Sequence, residues 1–365
     1  MFSERDLQEL FDFTPERPIL SLYLNTKTSE GTIDVAKLHL HNMLKSVDLP
    51  KDVQAIEQYS NMNYDWKSQS LAIFSCADQG FFRAYPLSVP VNDQVQTTER
   101  PVVRPMIHIM ETYGHWGIVL VDKQGARLFS FHLGDLEEVG GFLGEEIKQI
   151  KRGGASSVRG RKGGSNNSAN IENIIDRNMD KIAEYVGAFF KTRHIRRIMI
   201  GGSDDNIVRF KESLPKSWQS LVAASFPLSM TSDHSEILER AFQIAKEAEY
   251  GHQSKMVKQA IILAAKGSHG VIGLNDTLNA IHTGQAQTVL VLESYSEHGF
   301  RCPGCGFMTT QALALCPFCS GTFIRIDDAV EMSVRVAKQK NASVLIIPEN
   351  NALKEAGAIA AILRY

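Results

Sequence analysis

The spacing Cys302-x2-Cys305-x10-Cys316-x2-Cys319 constrains this chain more than any other stretch of it. Two thiolates two residues apart turn their sulfurs onto one ion, and a second such pair completes a tetrahedral shell. Pro303 and Pro317 follow the first cysteine of each pair and fix φ there, while Gly306 and Gly321 permit tight exit turns. The spacing predicts a zinc ribbon over residues 300–321, in preference to a redox dithiol or chance; iron would satisfy the same ligands. Four thiolates leave no open coordination position, so the metal is expected to be structural and not catalytic. The fifth cysteine, Cys76, ends an apolar run and reads as a packing residue. Cysteines used this way are a metal pattern and not a disulfide framework.

Around that ribbon the sequence predicts an α/β chain. Its 365 residues suggest two or three domains, and 43% hydrophobic residues are ample for their cores. The formal net charge of −2 means that any affinity for nucleic acid must come from local patches. No run approaches twenty apolar residues, and MFSERDLQEL lacks a basic-then-apolar signal pattern, so a cytoplasmic monomer without membrane contact is expected.

Residues 1–95 read as an N-terminal α/β domain. A helix around Leu7, Leu10 and Phe11 precedes the alternating strand 19–24, a helix over 35–47, and a hairpin of strands 70–75 and 80–89. His39 and His41 read as helix-surface residues. Residues 96–105, with two prolines among polar residues, read as a linker. Residues 106–250 read as a middle α/β domain. It begins with strand 116–121, a turn at Asp122-Lys123-Gln124-Gly125 and strand 126–132. Asp122 could be a catalytic carboxylate at a strand end, but an Asp that shapes a turn before Gly is the commoner case. Strand 196–200 ends in Gly201-Gly202-Ser203, a loop able to hold a phosphate; Asp204 and Asp205 would repel anions, so a plain turn is preferred. Residues 251–365 read as a C-terminal α/β domain that contains the ribbon, with helices at 257–265, 275–282 and 329–338 and strands at 288–292 and 343–347.

The stretch 146–170, EIKQIKRGGASSVRGRKGGSNNSAN, belongs to neither kind of element. Lys148, Lys151, Arg152, Arg159, Arg161 and Lys162 lie along it without an acidic residue between them, and glycine pairs sit at Gly153–Gly154 and Gly163–Gly164. With no apolar periodicity it cannot bury itself, so a long mobile loop is expected. It lacks the Walker spacing of a phosphate-binding loop. A helix follows, marked by Ile171, Ile174, Ile175, Met179, Ile182, Tyr185, Val186 and Phe189.

KRGGASSVRGRK resembles the signature loop of the eukaryotic and archaeal class-1 peptide-chain release factors, Arg-Gly-Gly-Gln-Ser-x-x-Arg. Arg152, Gly153, Gly154, Ser156 and Arg159 match position by position; Ala155 stands where the family keeps glutamine. PILSLYLNT resembles the first strand of the family's codon-reading domain, but its Asn-Ile-Lys-Ser decoding motif is absent. GSHGVIGLNDTLNAI, TVLVL and the terminal GAIAAILRY resemble the family's C-terminal domain, and archaeal members carry a similar cysteine insert there. The likeness extends to the Pelota-type relatives and to a bacterial and archaeal release-factor-like branch.

The resemblance implies a three-domain factor that enters the ribosomal A site, carries its Gly-Gly loop to the peptidyl-transferase centre and offers a surface to a translational GTPase. The six cations would contact ribosomal RNA, and Gly153, Gly154, Ala155 and Ser156 would stand for the catalytic loop. Ala155 can neither coordinate nor orient water. A non-enzymatic role in ribosome rescue, splitting or hibernation is therefore expected ahead of peptidyl-tRNA hydrolysis. A zinc-ribbon RNA-binding protein acting off the ribosome is the outsider.

Overall fold

The computed structural model describes residues 2–27, 32–146 and 164–365. Among the described residues it is an α/β fold of four sheets, and the chain divides into two compact units: residues 1–112 with 249–365, and residues 113–248.

The first segment runs α1 (Glu4–Asp12), β1 (Ile19–Asn25), α2 (Ile33–Leu44), α3 (Pro50–Met62), β2 (Ser70–Cys76), β3 (Phe81–Leu87), β4 (Gln94–Thr98) and α4 (Arg104–Tyr113). Ser3 starts α1 as one half of a capping box with Asp6, which satisfies donors the first turn leaves free. The strands form an antiparallel sheet in the order β3-β2-β1-β4. Leu20, Leu22 and Leu24 of β1 share one face with Leu71 and Ile73, and Leu40, Leu44 and Ile56 of the two helices close over it. Gly80 turns the β2–β3 hairpin at φ 65°, a conformation an L side chain resists. Half of the stretch 96–105, expected as linker, lies in regular elements. Gln96, Thr97 and Thr98 pair with β1, and Arg104 and Pro105 open α4. Val95 packs this strand against the core, and the polar residues after it read as a linker.

The middle segment holds β5 (Trp116–Val121), β6 (Gly125–His132), β7 (Asp135–Leu143), α5 (Gly164–Thr192), β8 (Arg197–Gly202), α6 (Asp204–Ser213), α7 (Lys216–Gln219), β9 (Val222–Pro227) and α8 (His234–Ala265). Its sheet has the order β7-β6-β5-β8-β9, with β6 and β7 antiparallel and β5, β8 and β9 parallel. The α5 positions Ile175, Met179, Ile182, Val186 and Phe190 pack with Val119, Val121, Ile198 and Ile200 of the sheet. Strand β7 was not foreseen: EEVGGFLGE has glycines and charges in place of alternation, because the strand lies at the sheet edge with one side solvated. Helix α8 runs unbroken through Gly251, and the division between the two compact units, at 248–249, falls within this helix. A Cβ at Gly251 would meet open space, so packing does not require glycine there.

The last segment contains β10 (Gly270–Ile272), α9 (Leu274–His282), β11 (Ala286–Leu292), β12 (Gly299–Arg301), β13 (Met308–Thr309), β14 (Ile324–Ile326), α10 (Ala329–Gln339), β15 (Ser343–Ile347), α11 (Asn351–Glu355) and β16 (Ile359–Leu363). The main sheet has the order β10-β16-β11-β15, and β12, β13 and β14 make a separate three-stranded ribbon. Within the first unit, helix α10 joins this segment to the first. Arg335 donates to the carbonyls of Leu10, Phe11 and Pro101, while Glu331 accepts from Val103 N (3.0 Å) and Arg104 Nε (2.8 Å).

Candidate metal centre and the root of the basic segment

The two cysteine pairs sit on matched knuckles. In the first, Cys302 N donates to Phe307 O and Gly306 N to Cys302 O, both at 2.8 Å. In the second, Cys316 N donates to Gly321 O (2.9 Å) and Ser320 N to Cys316 O (2.8 Å). The left-handed residue is therefore Gly306 in the first knuckle (φ 77°) but Ser320 in the second (φ 57°). Gly321 serves a different purpose from the exit turn expected of it. A Cβ there would lie 3.1 Å from Cys302 Sγ, so glycine lets the backbone approach the sulfurs.

The four Sγ atoms lie within 4.8 Å of one another, with Cys302 to Cys319 at 3.3 Å and Cys305 to Cys316 at 3.5 Å. A tetrahedral ion with metal–sulfur bonds of about 2.3 Å needs sulfurs about 3.8 Å apart. The cluster spans that value, so Cys302, Cys305, Cys316 and Cys319 fit a four-coordinate metal ion. The backbone N–H of Cys305 is the largest influence on the Cys302 thiol, and with other donors it outweighs burial and brings the pKa down to about 7. For Cys319 the Gly321 N–H pulls the other way, yet hydrogen bonds with the Cys302 and Cys305 thiols push it up to about 12. Four thiols held this close cannot all ionise without a cation among them.

Phe307 seals one side of the knuckles, with Phe318 at 4.8 Å and His282 at 5.2 Å between ring centroids. Asn275 Oδ1 accepts from Thr310 N (3.0 Å) and Thr310 Oγ1 (2.9 Å), which ties the ribbon to the start of α9.

The basic segment lies outside the described residues: Lys148, Lys151, Arg152, Gly153, Gly154, Ala155, Ser156, Arg159, Arg161 and Lys162 all fall within 147–163. Its root is described. Asp122 Oδ1 accepts from Gln124 N (2.8 Å) and Gly125 N (2.7 Å), so it shapes the β5–β6 turn as the bland reading of that carboxylate expected. The turn's carbonyls then hold other parts. Gly144 N donates to Gln124 O, and Asn178 Nδ2 donates to Lys123 O (3.1 Å) and Glu145 O (3.0 Å). Asn178 Oδ1 in turn accepts from Glu145 N (2.8 Å). Asn178 is fully buried, on the apolar face of α5 between Ile175 and Ile182. Sequence reading passed over it. The signal was a polar residue where the stripe from Ile171 to Phe189 calls for an apolar one.

The glycines after β8 are explained by packing. A Cβ on Gly201 would lie 2.5 Å from Leu120 Cδ2, and one on Gly202 would lie 2.6 Å from Val121 O. The plain-turn reading of Gly201-Gly202-Ser203 gains a reason, and Ser203 caps α6 by accepting from Asn206 N. His39 pairs with Asp93 and His41 with Glu57, both at 2.9 Å. Cys76 is buried, and burial pushes its thiol pKa up, as befits a packing residue. No helix among the described residues is long and apolar enough to cross a membrane.

Residues 101–246 match the sequence model of bacterial archaeo-eukaryotic release factor family 10. No curated protein matches the chain. Among solved structures, the archaeal translation termination factor aRF1 is 17% identical, with 99% of this chain and 96% of that one covered and a TM-score of 0.26. Pelota of Archaeoglobus fulgidus is 12% identical, with coverages of 99% and 92% and a TM-score of 0.35. Dom34 of S. cerevisiae, a translation termination-like factor, is 9% identical, with 83% of each chain covered and a TM-score of 0.43. The family match covers residues 113–246 of the compact unit 113–248, and the positions of the basic segment fall inside it.

Proposed function

We propose that this protein is a release-factor-like translation factor that binds the ribosomal A site and brings its Gly-Gly segment near the peptidyl-transferase centre. It acts there in ribosome rescue, splitting or hibernation and not in codon-directed release. The observation that carries the reading is that the release-factor match at 101–246 encloses six cations and a Gly-Gly pair in which Ala155 replaces glutamine. Phosphate-rich ribosomal RNA is the target such a segment suits, since each neutralised phosphate releases counterions. An alanine methyl has no polar atom with which to place a water at an ester. The zinc ribbon holds the C-terminal part in shape, and a translational GTPase is the expected partner of that part.

Co-sedimentation with ribosomes tests the binding. If all six cations engage, log Kd should change with log salt at a slope near 4, by single-strand-like release of about 0.7 counterions per contact. A peptide-release assay on programmed ribosomes then compares the native chain with Ala155→Gln. Little release from the native chain, with a gain in the variant, is expected. Strong release by the native chain would make it a peptide-chain release factor instead. RNA binding without ribosome association would place it off the ribosome.

A further inference from the structure

Three hydrogen bonds converge on Asn178, and all three join it to backbone outside any helix or strand: Lys123 O, Glu145 O and Glu145 N. An asparagine amide offers two donors and an acceptor, and this one uses each of them. A fully buried amide on the apolar face of a helix is costly unless satisfied, and an apolar residue there would pack as well. Its partners identify what it is for. Glu145 stands two residues before the basic segment begins, and Lys123 belongs to the turn that Asp122 shapes. Lys181, one helical turn on, reaches the Glu145 carboxylate at 3.0 Å. Gly144 is fitted to the same point, because a Cβ there would lie 2.3 Å from Asn178 Oδ1.

Two points on α5 therefore bracket the segment in sequence. Glu145 is held at Asn178, and the described chain resumes at Gly164, fourteen residues earlier on the helix. At 1.5 Å per residue those points are about 21 Å apart along the axis.

We infer that Asn178 is a positioning residue: by holding Glu145 it fixes the chain just ahead of the basic segment, and so helps set where its cations meet RNA. This rests on the reading that the segment contacts ribosomal RNA. An untethered root leaves every cation in place but adds chain to be ordered on binding, which weakens affinity without changing the number of phosphates neutralised.

The test uses the full chain with Asn178→Leu, which keeps the branched heavy-atom skeleton without the amide, and Gly144→Ala, which crowds the same bonds from the other side. Hydrogen exchange at the Glu145 amide should rise at least tenfold in both, while the amides of Val186 to Phe190 stay protected. Ribosome binding, measured below the onset of unfolding, should weaken about five- to tenfold with the salt slope unchanged. Arg152→Ala should instead lower the slope. Unchanged affinity in a folded Asn178→Leu protein overturns the inference, as does unchanged exchange at Glu145. If the native chain ignores ribosomes, the functional reading fails and the proposed positioning role fails with it, while the exchange arm still reports whether Asn178 holds the root.

Discussion

Removing the Arg335 side chain should unfasten the first unit. Arg335 is 2% exposed, and its Nη1 donates to Leu10 O (3.2 Å) and Phe11 O (3.0 Å) while Nη2 donates to Pro101 O. Those carbonyls end α1 and cross 96–105, so one side chain of α10 holds two segments that lie more than two hundred residues away in sequence. Its Nε has no hydrogen-bond partner and lies 4.0 Å from Glu331 Oε1. Burial pulls the guanidinium pKa below its ordinary value, with Glu331 working against that. Hydrogen bonds from a charged group contribute about 1.5–3 kcal/mol each, so the gross loss in Arg335→Ala is large. Part is returned because a desolvated charge leaves with the side chain. The net cost of breaking such an arrangement is about 3–5 kcal/mol.

For a unit of this size each kcal/mol moves Tm by about 2–4 °C, which makes a fall of roughly 6–20 °C. Calorimetry on the full chain should show it in the transition of the unit formed by 1–112 and 249–365, with the transition of 113–248 as an internal reference. Arg335→Met, which fills the space and carries no charge, should lose less than Arg335→Ala. A shift under about 2 °C for Arg335→Ala, or a native Tm for Arg335→Met, would refute the claim that these three bonds fasten the unit.

Other outcomes follow from the same geometry. Purified protein should carry one tightly held metal per chain, and Cys316→Ser should lose it together with the thiolate absorption of a cobalt-substituted sample; a stoichiometry near zero in both overturns the ribbon assignment. Gly202→Ala, whose Cβ meets Val121 O at 2.6 Å, should destabilise the middle unit by about 1–3 kcal/mol, read by urea titration. The Glu138 carboxyl is held below its usual range by its hydrogen bond with Arg127. Its stabilising contribution is therefore present above the unfolded carboxylate value of about 4.3 and is lost as pH falls through the lower folded one. Calorimetry from pH 7 to pH 3 should show part of the acid fall flattened in Arg127→Gln.

The elements most legible in the sequence were those buried on both faces. The strands at Ile19–Asn25, Trp116–Val121 and Ser343–Ile347 are continuous or alternating apolar runs, and the fold places each where that pattern demands. The four-cysteine cluster was legible from spacing alone, and its sulfurs lie within 4.8 Å of one another. Edge strands were the failures. QVQTT offers the core Val95, and EEVGGFL offers Val139 and Phe142, so hydropathy carried only a faint record of them. Helix α3 escaped for a related reason: PKDVQAIEQYSNM buries only Asp52, Ile56 and Ser60, a thin stripe with two polar members.

Those buried polar residues share a purpose that periodicity cannot report. Asp52 accepts from Ser75 Oγ (2.6 Å) and Ala77 N (2.7 Å), Asn178 holds Lys123 and Glu145, and Glu331 with Arg335 holds Val103, Pro101 and the end of α1. Each time a helix gives up an apolar position and binds backbone in a turn, a strand exit or a connection. Such groups must be satisfied if buried, yet they have no ladder to join. A side chain aimed from a neighbouring helix supplies the partner and fixes the segment at once. Hydrophobic contact could cover these stretches but could not set their register, since it has no direction. An Asn178→Leu protein should therefore fold with nearly native stability of α5 and still lose order at Glu145, a separation that near-equal protection at both places would disprove.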